Sequence, residues 1–225
     1  MREPGRQVTN RKRRTLRTVG SASKRLDRHP AFLFSPAMAR NPLLLVPNIL
    51  TIIRIAAIVP IAWLVMEGDI GLRIVALVLY VLAAASDWVD GYLARAWNQY
   101  SDLGRMLDPI ADKLLVGIMV AVLAWDGSLS GWDMIPVIAI LFREFFISGL
   151  REFLGNTAVV LPVSKLAKWK TTVQLIALAI VLLEGIIPGL RLLSDIVLWL
   201  AGALTLWTGW NYLRASWPHL LGTGK

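Results

Sequence analysis

A chain of 225 residues with 56% hydrophobic content, a mean hydropathy of +0.59 and a formal net charge of +9 is too apolar for an ordinary soluble domain. It is expected to be an all-α, polytopic membrane protein. The lack of cysteine excludes disulfides, thiolate metal sites and cysteine nucleophiles. The two histidines, His29 and His219, lie outside the apolar runs, so any metal must be held by oxygen ligands, the preference of Mg2+ and Mn2+.

Residues 1–40 carry 11 Lys/Arg, including Arg11, Lys12, Arg13, Arg14 and Arg17, against only Glu3 and Asp27, whereas charges beyond residue 40 balance at 13 of each sign. This predicts a flexible, basic, cytosolic arm ahead of a neutral membrane body. Such an arm can bind anionic headgroups at roughly 1 kcal/mol per basic residue near the surface. Its richness in Arg and Ser and poverty in acids also suit a transit peptide, but no short apolar core with a cleavage site marks a secretory signal.

Six apolar spans follow: Pro47 to Met66, Leu72 to Ala96, Asp108 to Trp125, Met134 to Phe153, Leu166 to Ile187 and Asp195 to Leu213. A short interfacial helix is expected around Pro42 to Pro47. Arg95, Arg105, Lys113, Arg151, Lys165, Lys168, Lys170 and Arg214 gather at one set of span ends, and only Arg73 and Arg191 at the other. The positive-inside rule then puts both termini, the 97–107 loop and the 151–170 loop in the cytosol. Trp125, Trp132 and Trp217 near span ends suit an aromatic belt. The expected organisation is an arm at 1–40, a six-helix membrane domain at 41–216 and a cytosolic tail at 217–225.

Four aspartates, Asp87, Asp90, Asp108 and Asp112, stand beside or inside these spans, where a charged side chain at mid-bilayer costs roughly 2.5–3.5 kcal/mol even on insertion scales. Asp87, Asp90, Gly91 and Ala94 share about 100° of one helix face, bordered by Arg95. Gly104, Asp108 and Asp112, at i, i+4 and i+8, form a stripe on the next helix. The short turn from Asn98 to Asp102 makes the two helices antiparallel, so the acidic stripes can face each other at the cytosolic surface. Carboxylates so close repel unless cations intervene, and one or two divalent ions would relieve this. Gly91 and Ala94 leave room for a bulky ligand, and Arg95 offers a fork of donors suited to phosphate. The alternative, helix-end aspartates paired with Arg95, Arg105 and Lys113, does not account for the small residues between the acids.

Asp87, Asp90-Gly91, Ala94-Arg95, Gly104, Asp108 and Asp112 fill every fixed position of the pattern DxxDGxxARx8GxxxDxxxD, and in this the chain resembles the CDP-alcohol phosphatidyltransferases. The resemblance implies a six-helix membrane fold, usually dimeric, in which two metal ions bind the diphosphate of a CDP-linked lipid and CMP leaves. By position it implies Asp87, Asp90, Asp108 and Asp112 as metal ligands, with Asp112 also the general base, and Asp87, Gly91, Ala94, Arg95 and Gly104 at the nucleotide.

The other charges in or beside the spans are Arg143, Glu144, Arg151, Glu152, Lys165, Lys168 and Lys170. Arg143 and Arg151, eight residues apart, can converge on one ligand, and so many cations suggest an acceptor that carries phosphate, although loop charge and Arg–Glu pairing remain an alternative. Pro47-Asn48, Leu50-Thr51 and Arg54, then Arg143-Glu144, Ile147-Ser148, Leu150-Arg151-Glu152, and Lys168, Lys170-Thr171 and Gln174 resemble the branch that comprises the bacterial phosphatidylglycerophosphate synthases. About residues 42–214 fit it. That resemblance implies CDP-diacylglycerol as donor, sn-glycerol 3-phosphate as acceptor, the bacterial cytoplasmic membrane as location, Arg143, Arg151 and Lys168 on the acceptor phosphate, and Asn48 and Thr51 on the nucleotide side. Competing expectations are another acceptor (inositol phosphate, serine or phosphatidylglycerol) or a non-enzymatic cation-handling membrane protein, which would spread its carboxylates through the membrane depth.

Overall fold

The computed structural model describes residues 42–97, 99–156 and 165–221, with the side chains of residues 42, 156 and 165–168 outside that description. The basic arm and Asn98 therefore lie outside the described residues. Six helices follow a 3-10 turn at Pro42–Leu44: α1 (Val46–Met66), α2 (Ile70–Ala96), α3 (Asp102–Trp125), α4 (Met134–Asn156), α5 (Lys165–Glu184) and α6 (Arg191–Leu220). No strand occurs among the described residues. By length and composition α1, α2 and α6 can each cross a membrane. α3, α4 and α5, at 24, 23 and 20 residues, rise about 30–36 Å at 1.5 Å per residue, which matches the hydrocarbon thickness, but they carry more charge.

Local chemistry sets the boundaries. Pro47 opens α1, where its missing N–H costs nothing. Gly68, at φ 74°, turns the chain into α2, and Asp69 caps that helix by accepting from the Leu72 N–H at 3.0 Å. Ser101 caps α3 by accepting from the Gly104 N–H at 3.0 Å. Hence α3 begins at Asp102, six residues before the apolar run that marked it in the sequence. At the far end α6 continues past Leu213 to Leu220, so the helix runs on into the stretch assigned to the tail.

The helices form two trios. α1 packs on α2 and α3, α6 packs on α4 and α5, and α5 joins the trios by lying against α2 and α3. Tyr80 on α2 donates to the Leu175 carbonyl of α5 at 3.1 Å, and the Arg73 Nε donates to the Leu182 carbonyl at 3.0 Å. The core runs through Ile58, Ile61, Tyr80, Met119, Leu123, Val137, Leu178, Leu182 and Leu198. Around it the usual distribution is inverted. Val59, Trp63, Leu82, Phe142 and Trp207 are each more than half exposed, while Arg54 is the largest fully buried side chain. Lipid replaces water as the partner of the outer face, so the polar groups turn inward. Trp125, Trp132 and Trp217 are exposed, as membrane-surface anchors require.

At the end opposite the four aspartates, Arg73 bonds Asp126 and Ser128, while Arg191 pairs with Asp133, Glu184 and Asp195. Arg73 thus ties the start of α2 to the loop after α3, and Arg191 ties the start of α6 to the turn before α4 and to the end of α5. Where α4 and α6 cross, a Cβ on Gly202 would stand 2.7 Å from the Pro136 Cβ and 3.0 Å from its Cα. Gly202→Ala should therefore lower stability by about 1–3 kcal/mol, the usual cost of overpacking, read as a lower thermal midpoint in detergent.

Candidate active site

The buried stripe of α1, Pro47, Asn48, Thr51, Arg54, Ile58, Ile61 and Val65, has helical periodicity and is polar only at Asn48, Thr51 and Arg54, within its first three turns. This polar part faces the aspartates of α2 and α3. Arg54, with no side-chain surface exposed, donates to Ser86 Oγ at 2.9 Å, to Asp87 Oδ1 at 3.0 Å and to Asp112 Oδ1 at 3.2 Å, and it also pairs with Asp90. One turn earlier, Thr51 Oγ1 lies 2.9 Å from Asp108 Oδ1 and 3.4 Å from Asp90 Oδ2. Two residues of α1 therefore reach all four carboxylates.

The acids of the two stripes do come together, but through Thr51 and Arg54 of α1, on which α2 and α3 each pack, rather than by the direct packing of α2 on α3 that the short connection implied. Arg105 pairs instead with Asp102 at 2.8 Å on the surface, and Lys113 donates to the Pro109 carbonyl at 3.1 Å. The pairing of the acids with Arg105 and Lys113 is thus not what forms; Arg54 takes that role. The motif glycines have local reasons. A Cβ on Gly104 would stand 2.6 Å from Asn48 Oδ1, so this glycine lets α1 and α3 approach, while Asn48 Nδ2 donates to Ser101 Oγ at 2.7 Å. Over Gly91 the Arg95 guanidinium folds back, 3.4 Å from where a Cβ would sit.

Three carboxylates pair with one guanidinium and the fourth, Asp108, lies on Thr51, which leaves an excess of three formal negative charges. The side chains of Asp87 and Asp112 are 45% and 42% exposed, whereas that of Asp90 is nearly enclosed. Among the described residues no three acids or histidines converge closely enough to form a ready metal cluster, because Arg54 stands between them. The donor set itself, all oxygen with surplus negative charge and two accessible members, fits hard divalent cations.

The second group of charges lies on the other trio. Glu144 Oε1 of α4 accepts from Arg143 Nη1 at 3.2 Å, from Lys170 Nζ and from Gln174 Nε2 at 3.5 Å, and Gln174 also donates to Thr205 Oγ1 of α6 at 2.7 Å. Arg143 passes against α6 at Gly209, where a Cβ would meet its Cγ at 2.8 Å. Arg151 is exposed, with its guanidinium 5.6 Å from the centre of the Tyr212 ring, and its charge bears on Arg143 and Lys170. Lys168 stands on the first turn of α5 but its side chain lies outside the described residues. Asp112, Glu144, Thr171 and Gln174 line one crevice, and Arg54, Asp87, Asp112 and Thr171 line the next, so Asp112 borders both, and Glu144 and Gln174 are the members of the second group that reach the crevice beside it.

Sequence reading did not single out the roles of Arg54, Glu144, Lys170 and Gln174. A signal for Arg54 exists: it is a lone cation inside an apolar run, three residues after Thr51 and six after Asn48, on one face. No comparable signal pairs Glu144 with Lys170, because their meeting depends on how α4 and α5 pack.

The family model for CDP-alcohol phosphatidyltransferase matches residues 44–207. The chain belongs to the CDP-alcohol phosphatidyltransferase family. It is 40% identical over 217 residues to a CDP-diacylglycerol--glycerol-3-phosphate 3-phosphatidyltransferase of Cereibacter sphaeroides, covering 78% of this chain and 96% of that protein. Relatives bearing the same name are 46% identical over 172 residues in Rickettsia bellii (75% of this chain, 93% of that one) and 36% over 190 residues in Bacillus subtilis (77% and 96%).

Replacing Arg54 by Met leaves buried acids without their cation, a change that typically costs roughly 3–5 kcal/mol. In the presence of chelator, R54M should unfold well below the wild type in a thermal scan; an unchanged midpoint would contradict the assigned pairing.

Proposed function

We propose that this protein transfers the phosphatidyl group of CDP-diacylglycerol to sn-glycerol 3-phosphate, giving phosphatidylglycerophosphate and CMP. The observation that carries the reading is the complete aspartate motif, whose Asp112 shares a crevice with Glu144, the carboxylate that pairs with Arg143 and Lys170, in a chain whose relatives carry the name of that transferase.

In this reading Asp87, Asp90, Asp108 and Asp112 hold two divalent ions, Mg2+ or Mn2+, which when bound supply neutralisation of the donor diphosphate. Gly91, Ala94 and Arg95, with Asn48, Thr51 and Gly104, frame the nucleotide. Arg143, Arg151 and Lys168 bind the acceptor phosphate, and Lys170 joins them because it shares Glu144 with Arg143. Asp112 takes the proton of the acceptor hydroxyl as its oxygen bonds the phosphatidyl phosphorus and the bond to CMP breaks. Displacement at phosphorus depends mainly on positioning and charge stabilisation, so no protein nucleophile is needed. All six helices cross a bacterial cytoplasmic membrane in this reading, with the aspartate end and both termini in the cytosol. The chain acts as a homodimer there, and its first 40 residues lie against anionic headgroups.

Purified protein supplied with CDP-diacylglycerol and Mg2+ or Mn2+ should release CMP with glycerol 3-phosphate and not with inositol 1-phosphate, serine or phosphatidylglycerol. Chelation should abolish release. Asp112→Asn should lower kcat by roughly 10²–10⁴-fold, the range for loss of a general base; a D112N variant at full rate would remove Asp112 from that role.

A further inference from the structure

Glu144 is out of place in a pocket meant for a phosphate. Its Oε1 is the common acceptor for Arg143, Lys170 and Gln174, the kind of donor set that a phosphate oxygen takes. The two cations are the more deeply enclosed partners: the side chains of Lys170 and Arg143 are 4% and 9% exposed, against 20% for Glu144. Glu144 also lines the crevice that reaches Asp112. An anion entering from that crevice therefore meets the carboxylate before it meets the cations.

The charges are unequal as well. Among the described residues Arg143 and Lys170 both pair with Glu144 and the charge of Arg151 adds to theirs, while the buried Arg143 Nε has no hydrogen-bond partner. Burying two cations without a counter-ion is costly, and one carboxylate in their midst relieves most of that cost. A second anion arriving at the same donors is repelled by the first unless the carboxylate gives way. Glu144 is placed to do so, since it is the most exposed member of the three and is joined to its partners through a single oxygen.

We infer that Glu144 is an internal anion that occupies the seat of the acceptor phosphate, holding Arg143 and Lys170 in place until the phosphate displaces it. Glu144 is thus a positioning residue that sets the acceptor's affinity. This rests on the reading of the pocket as the acceptor's phosphate site. The competition raises the acceptor KM above what the same cations would otherwise give, and it disfavours a neutral acceptor, which brings no charge to replace the carboxylate.

Glu144→Gln keeps the shape and the contact with Gln174 while removing the charge. E144Q should lower KM for glycerol 3-phosphate several-fold, leave KM for CDP-diacylglycerol unchanged, and enlarge the thermal stabilisation that glycerol 3-phosphate gives in the absence of donor. An acceptor KM that is unchanged or raised in E144Q would overturn the inference, because a carboxylate that merely braces the cations can only help binding. Lys170→Met, assayed beside it, separates the two levels. If K170M raises the acceptor KM while E144Q does not lower it, the pocket reading stands and the displaced anion falls. If neither K170M nor Arg143→Met affects acceptor KM or acceptor-induced stabilisation, the pocket reading falls and the inference with it. Should E144Q prove too unstable to purify, Glu144→Asp, which keeps the charge but draws it back from Lys170, should still lower the acceptor KM, and a raised value there would count against displacement.

Discussion

A guanidinium with none of its side chain exposed, ringed by Ser86, Asp87, Asp90 and Asp112, is the interaction on which the acidic half of this protein depends. In a low-dielectric interior neither partner is tolerable alone: unpaired Arg54 would not stay buried, and the carboxylates would drive α2 and α3 apart. Together they fix the register of three helices at one end of the fold. Thr51 extends the contact to Asp108, and Gly104 permits it by letting Asn48 press against α3. The motif glycine and the motif acids thus serve a common geometry in which α1 is a full participant although it contributes no residue to the motif.

Polarity then separates cleanly between the trios. α1, α2 and α3 make a wall with surplus negative charge, while α4, α5 and α6 make a pocket with surplus positive charge. Each holds one internal counter-ion, Arg54 in the first and Glu144 in the second. α5 joins the halves, since Thr171 borders both crevices and Gln174 reaches Glu144 on α4 and Thr205 on α6. Asp112 stands at the meeting point. A reaction between a diphosphate donor and a phosphate-bearing acceptor needs such a division, because the two substrates would otherwise repel each other at the moment of transfer.

Much of this was legible in the sequence, for identifiable reasons. Helical spacing placed Asp87 with Asp90 and Asp108 with Asp112, a local consequence of the backbone, but the short connection did not make α2 pack on α3, because both pack on α1. Apolar run length located six helices but missed where α3 begins, because the Ser101 cap lies in a polar stretch with no apolar signal. Arg54 was readable as an isolated cation on the face of Thr51, yet its partners lie 32 to 58 residues away along the chain. Glu144 and Lys170 were visible only as charges: their separation of 26 residues leaves their pairing to tertiary packing. Local periodicity thus accounts for the aspartate motif, while the charge cluster around Glu144 is assembled by contacts between helices distant in sequence.

The central claim is that the four aspartates around Arg54 form an oxygen site for divalent ions at the donor diphosphate. Its most direct test is a titration of the purified protein in lipid nanodiscs with Mn2+, followed by electron paramagnetic resonance in the presence of CDP-diacylglycerol. Saturable Mn2+ binding that is lost in an Asp87→Asn, Asp112→Asn double variant and kept in Glu144→Gln is the expected result. Binding that survives unchanged in the double variant, or a wild type with no saturable binding at all, would contradict it.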